Sequence, residues 1–175
     1  VLVTTQFGCK ATDTFNIPIS IIKTPKIKIT GDSVGCENRL LQFNGVVIAS
    51  DTNAISWKWN FANSNTSTLQ IPSKQYYSTA GNYIISLVAN NIGNCKDSIT
   101  KTIVINPTPN VNAGLDSNIC RGQTITLTPS VDLTYVWNND ATLSCFTCTN
   151  PLAKPDSLKL YTVTGTNSFG CSNTD

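Results

Sequence analysis

The feature that most constrains this chain is a short signature that occurs three times at nearly equal intervals. It reads Phe7-Gly8-Cys9-Lys10-Ala11-Thr12-Asp13, then Gly93-Asn94-Cys95-Lys96-Asp97-Ser98, then Phe169-Gly170-Cys171-Ser172-Asn173-Thr174-Asp175. Cys95 stands 86 positions after Cys9, and Cys171 stands 76 after Cys95. A second marker keeps the same phase. Thr24-Pro25 and Asn106-Pro107-Thr108-Pro109 read as stiff linkers, because proline fixes φ and donates no N–H to a sheet. Cys36 follows Pro25 by 11 positions, and Cys120 follows Pro109 by 11. Such a period fits one small β-domain per repeat. The predicted organisation is the C-terminal strands of a truncated immunoglobulin-like domain in residues 1–23, a complete sandwich in 24–106, and a sandwich in 107–175 that lacks its last strand. A chain that starts at Val1 is expected to be a window on a longer array.

Between these markers the pattern is that of strands. Period-2 or β-branched runs bounded by turn residues cover Lys26–Thr30, Leu40–Ile48, Ile55–Phe61, Thr68–Ile71, Tyr83–Asn90 and Ser98–Ile105. The last third adds Thr124–Thr128, Thr134–Trp137 and Leu158–Thr166. No stretch sustains helical periodicity. The predicted fold class is therefore all-β, with tandem immunoglobulin-like sandwiches in a linear array. Trp57 and Trp59 share a strand face, and Trp59 is expected in the core with Trp57 nearer the edge. Tyr83, Ile85 and Leu87 share a face of the next long strand, and Trp137 and Tyr161 take the corresponding places in the last domain. Core packing is the plain reading of these aromatics. A sugar-stacking platform would instead use Tyr76, Tyr77 and the less buried tryptophan.

Composition narrows the chemistry. The 175 residues include no histidine, which removes Ser-His-Asp and Cys-His nucleophile systems and histidine metal ligands. Only 13% of residues are charged and the net charge is +2, so there is no electrostatic footprint for nucleic acid. The longest apolar stretch, Ile17 to Ile22, is broken by Pro18 and Ser20, too short to span a membrane. Seven cysteines in a charge-poor β sequence suit an oxidising, extracellular setting. The acids are scattered, Glu37 is the one glutamate, and no pair of carboxylates suggests acid–base work. No catalytic residue and no required cofactor is expected. Asp116 with Asp132, or Asp32 with Glu37, could ligate calcium.

Residues 24–106 resemble a PKD domain. The resemblance is carried by Trp57-Lys58-Trp59-Asn60-Phe61 and by Tyr77-Ser78-Thr79-Ala80-Gly81-Asn82-Tyr83-Ile84-Ile85-Ser86-Leu87-Val88-Ala89-Asn90. The family's Gly-Asp-Gly turn is replaced here by Ala62-Asn63-Ser64. The last domain resembles a sister repeat of giant Bacteroidota surface proteins, through Pro109-Asn110-Val111-Asn112-Ala113-Gly114-Leu115-Asp116, Ile119-Cys120-Arg121-Gly122, Tyr135-Val136-Trp137, Leu143 to Pro151 and Tyr161 to Asn167. Together they look like repeats of SprB-type gliding-motility adhesins and other type IX-secreted proteins. That resemblance implies export and a place on the cell surface.

The cysteines are expected to act as staples. Cys36 is paired with Cys95, and Cys120 with Cys171, each joining the start of a domain to its penultimate hairpin. Cys9 holds the position of Cys95 and Cys171, so it is left unpaired by truncation. Cys145-Phe146-Thr147-Cys148 is expected to be a local clasp. A zinc site would need more ligands, and a thioredoxin-like pair would need a βαβ context. Asp32-Ser33-Val34, Asp97-Ser98-Ile99 and Asp156-Ser157-Leu158 match the Bacteroidota O-glycosylation acceptor pattern, which marks Ser33, Ser98 and Ser157. The predicted function is a stalk or filament segment of a secreted adhesin, with neighbouring repeats, surface glycans or other filament subunits as partners. The alternative is a glycan-binding or spacer module of a secreted hydrolase.

Overall fold

The computed structural model describes residues 2–4, 6–8, 10–12, 21–48, 54, 56–129 and 133–175. These are all-β, without helices. The strands are β1 (Leu2–Thr4), β2 (Lys10–Thr12), β3 (Ile27–Gly31), β4 (Val34–Cys36), β5 (Leu40–Leu41), β6 (Phe43–Val47), β7 (Ser56–Asn60) and β8 (Thr66–Ser67). They continue as β9 (Gln75–Tyr76), β10 (Gly81–Asn90), β11 (Lys96–Asn106), β12 (Ile125–Thr126), β13 (Thr134–Trp137), β14 (Leu152–Ala153), β15 (Val163–Thr166) and β16 (Ser172–Thr174). β1 and β2 form an antiparallel hairpin.

One sandwich is built from β3 to β11. A five-stranded sheet in the order β4-β11-β10-β7-β8 packs on the two pairs β3-β6 and β5-β9. Alternation decides which side chains meet between the layers. β7 buries Trp57 and Trp59 and exposes Ser56, Lys58 and Asn60. β10 buries Ile85, Leu87 and Ala89, while β3 supplies Ile27 and Ile29. Trp59 stacks on Phe61 at 5.4 Å, and Phe61 lies 6.0 Å from Phe43. Each such buried side chain contributes about 1.5–3 kcal/mol. Trp57 is no edge residue; it is only 9% exposed. Gly45 makes room for it, since a Cβ there would lie 2.8 Å from the indole ring.

A second, separate core gathers Val111, Tyr135, Trp137, Leu143, Ala153 and Val163. It lies over β13-β15-β16 and the pair β12-β14. The two cores share a frame. Trp59 stands opposite Leu87, and Trp137 opposite Val163. Each buried indole N–H donates to a backbone carbonyl, Trp59 to Leu69 at 2.9 Å and Trp137 to Cys148 at 3.1 Å. That satisfies the polar end of an otherwise apolar group.

Several expectations shift. Thr68–Ile71 is not a strand: the Leu69 carbonyl is spent on Trp59 and that of Gln70 on the Gly45 amide. Of Leu158–Thr166 only β15 is strand, and Leu158 and Leu160 are exposed. β16 is paired to β15 in the register that β11 keeps with β10, so Ser172–Thr174 are strand where the expectation placed none.

The Ala62-Asn63-Ser64 turn explains the glycines it lacks. Ala62 and Ser64 both sit at positive φ, 57° and 70°. A side chain there costs about 1–2 kcal/mol, offset in part by the greater freedom glycine has when unfolded. Ala62→Gly and Ser64→Gly should each stabilise by about 0.5–1 kcal/mol. Urea midpoints check this, and a loss of stability in both variants would refute the strain argument. Asn63 holds the turn through its amide, donating to the Tyr76 carbonyl at 3.0 Å and accepting from Asn65 N at 3.1 Å.

Candidate functional site: the joint between the two cores

The residues singled out by spacing converge where the chain passes from one core to the other. β4 pairs parallel to the end of β11, which sets Cys36 opposite Asn106. Cys36 is disulfide-bonded to Cys171, with a Cα–Cα distance of 5.6 Å and a separation of 135 residues. The bond therefore spans the joint and ties the two sandwiches together. Two expected pairs are overturned. Cys95 precedes Lys96 at the opposite end of β11, about 33 Å away at 3.3 Å per residue. A disulfide tolerates only about 4.4–6.8 Å between Cα atoms, so Cys36–Cys95 cannot form. Cys120–Cys171 fails because Cys171 is already bonded to Cys36. Cys95 and Cys120 carry no disulfide among the described residues. Cys9 lies outside those residues.

The linker is gripped from both sides. From the first sandwich, Glu37 N donates to the Asn106 carbonyl at 2.9 Å. The Glu37 carboxylate accepts from Ala80 N at 2.6 Å and from Thr108 N and Oγ at 3.1 and 3.2 Å. From the second, Asn167 Nδ2 donates to the Pro107 carbonyl at 2.9 Å. Asn167 Oδ1 accepts from Phe169 N and Cys171 N, both at 3.0 Å, which shapes the turn that presents Cys171. Pro107 and Pro109 limit backbone rotation between these grips.

The amides of Thr108 and then Ala80 hold the Glu37 carboxyl below its ordinary value of 4.5. A lowered folded pKa means that this contribution is full above the ordinary value and is lost as pH falls through the folded one. The Ala80 and Thr108 amides should therefore exchange faster with solvent hydrogen in acid than at neutrality, after correction for intrinsic rates. Glu37→Gln should flatten that pH dependence. Equal acid sensitivity in the variant would show that Glu37 is not the group responsible.

Other singled-out residues sit apart from the joint. Cys145 and Cys148 are disulfide-bonded. Their loop presents the Phe146 and Cys148 carbonyls to the backbone and indole N–H of Trp137. Asp32 accepts from Gln42 N at 2.7 Å, so its oxygens and those of Glu37 serve backbone amides. Asp132 lies outside the described residues, and among those residues no three acids or cysteines cluster as a metal site. Ser33, Ser98 and Ser157 are exposed. The aromatic platform is not assembled. Tyr77 and Trp57 are buried, and Tyr76 alone of the three is exposed. Tyr77 donates to the Phe61 carbonyl at 2.9 Å, and burial, with Tyr83 nearby, pushes its hydroxyl up to about 12.

A cavity of about 790 Å³ opens beside the second core, between residues 113–128 and 155–161. Its rim carries Lys159, which pairs with Asp140 at 2.8 Å; Lys159 and Thr142 hold the Asp140 carboxyl well below the usual range.

Residues 22–106 match the family model described as PKD domain. The chain also resembles solved structures at low identity. The PKD1 domain of the Vibrio cholerae metalloprotease PrtV is 25% identical, with 48% of this chain and 99% of that one covered and a TM-score of 0.42. The PKD1 domain of Vibrio anguillarum Epp is 18% identical, with 50% and 99% covered and a TM-score of 0.43. The Bacteroides ovatus protein SGBP-B, solved with a mixed-linkage heptasaccharide, is 15% identical, with 93% and 46% covered and a TM-score of 0.35. No curated protein matches the chain.

Proposed function

We propose that this chain is a non-catalytic structural segment, a stalk or filament, of a large extracellular surface protein of the type IX-secreted adhesin kind. Residues 24–106 and 107–175 act as successive domains of a linear array, and neighbouring repeats are its main partners. The observation that carries this reading is the joint: a proline-limited linker, gripped by Glu37 and Asn167 and crossed by Cys36–Cys171. Such a joint resists bending and carries load through a covalent bond. The disulfides fit an oxidising exterior. Ser33, Ser98 and Ser157 are acceptors for O-linked glycan in the secreted protein; an intact mass equal to the bare chain would remove that part.

Single-molecule pulling tests the mechanical role. With the bond intact, the residues between Cys36 and Cys171 cannot extend. Reduction should add about 470 Å of contour length, at roughly 3.5 Å per residue over the 135-residue separation. Equal extension with and without reductant would sink the mechanical role.

A further inference from the structure

The joint between the cores is built twice in this chain, and only one copy holds a disulfide among the described residues. In the formed copy Asn167 grips the Pro107 carbonyl, and Cys171 Sγ lies 3.9 Å from the Asn106 carbonyl. Asn91 repeats this. Its Nδ2 donates to the Lys23 carbonyl at 2.6 Å, and Cys95 Sγ lies 3.6 Å from the Ile22 carbonyl. Lys23 and Ile22 are the counterparts of Pro107 and Asn106, because Thr24-Pro25 matches Thr108-Pro109. Asn91 Oδ1 also accepts from Gly93 N and Cys95 N at 3.0 Å, as Asn167 does from Phe169 and Cys171. Asn94 and Gly170 both take positive φ, 57° and 79°. Cys95 thus occupies the place of bonded Cys171, over the preceding linker.

Cys120 in turn occupies the place of bonded Cys36. Arg39 N donates to the Cys36 carbonyl, and Gln123 N to that of Cys120. The residue two after each cysteine, Asn38 or Gly122, lies at positive φ. Cys36 is set beside the outgoing linker by its pairing at Asn106. Cys95 is partly accessible and Cys120 is exposed, so both thiols can be reached.

We propose that Cys95 and Cys120 are the two halves of further inter-domain staples. Cys95 takes a Cys36-type cysteine of a preceding copy of the repeat, and Cys120 takes a Cys171-type cysteine of a following copy. The result is a chain in which each joint is crossed by one disulfide, always from the start of one domain to the penultimate turn of the next. Each bond forms from two thiols with loss of two protons and two electrons. A small-molecule disulfide such as oxidised glutathione accepts them and leaves as two thiols. The inference rests on the array reading above and adds its covalent connectivity.

The test extends the full chain, residues 1–175, with a second copy of residues 100–175 that carries Cys120→Ser. Asp175 then continues into Thr100 in the register of β11. The protein is folded in a glutathione redox buffer, alkylated and digested without reductant. Mass spectrometry should join Cys120 to Cys171 of the second copy, and Cys36 to Cys171 of the first. Alkylated Cys120, or Cys120 joined to Cys171 of its own domain, overturns the proposal. If that chain does not fold, a second one places residues 24–105, carrying Cys95→Ser, before residues 22–175. There Cys36 of the added copy should be joined to Cys95, and an alkylated Cys95 is the overturning result. Loss of these bonds with the pulling difference across Cys36–Cys171 intact would leave the stalk reading standing.

Discussion

Trp59→Ala should lower the stability of the first sandwich by about 3–5 kcal/mol, the usual cost of truncating a fully buried tryptophan. Three losses add up. The side chain has no exposure, so its whole apolar surface is lost to a cavity. Its stack with Phe61 goes, and with it the chain of rings that reaches Phe43. The Leu69 carbonyl also loses its indole donor, which loosens the segment running alongside β6. A small domain has only about 5–15 kcal/mol to lose, so a sandwich near the lower end of that range should be partly unfolded even without denaturant. Urea titration followed by circular dichroism measures the shift. The second core should keep its own transition, because no residue of one core belongs to the other. A shift below 1 kcal/mol, or an equal shift in both cores, would contradict the assignment of Trp59 as the centre of the first.

Cutting the joint's staple is the second large effect. The double variant Cys36→Ala and Cys171→Ala, or the native chain in reductant, should lose up to about 5 kcal/mol of summed stability. That is the chain-entropy value for a closed loop of 135 residues. The loss is shared between the cores, because while either one stays folded the loop left for the other is shorter. The second core should show more of it. Cys171 is 1% exposed in the turn between β15 and β16, and anchors the end of that sheet. Thermal melts with and without reductant make the comparison, with the double variant as control. It should respond to reductant only through Cys145–Cys148. Identical melting curves for the native chain in both conditions would refute a stabilising staple.

The repeat phase and the alternating strands were readable because they are local. Period-2 burial in β7 and β10 follows from side-chain geometry alone, and it placed Trp59, Ile85 and Leu87 inside. Prolines at fixed distance from cysteines marked the linkers for the same reason. The partners of the long disulfide were not readable. They depend on β4, three residues whose parallel pairing with β11 has no local signature, since parallel partners are set by the path of the chain and not by a turn. Once that pairing is known, Cys36 lies at the linker end and Cys95 at the other, and the choice is made. Spacing that equates Cys9, Cys95 and Cys171 carried the needed signal in another form: equivalent cysteines make equivalent bonds, and a staple inside each domain was only one of two connectivities consistent with it.

Glu37 shows the same division. Sequence marks it as the single glutamate and offers it as a calcium ligand. The fold instead aims its carboxylate at two backbone amides, one of them in the linker. By itself the sequence determined an all-β chain with its tryptophans inside, because these features are written in patterns a few residues long. Only the tertiary structure decided that the long disulfide crosses the joint and does not close a domain. A covalent bond needs its ends within a few ångströms, and that distance is fixed by which strand ends the fold brings together.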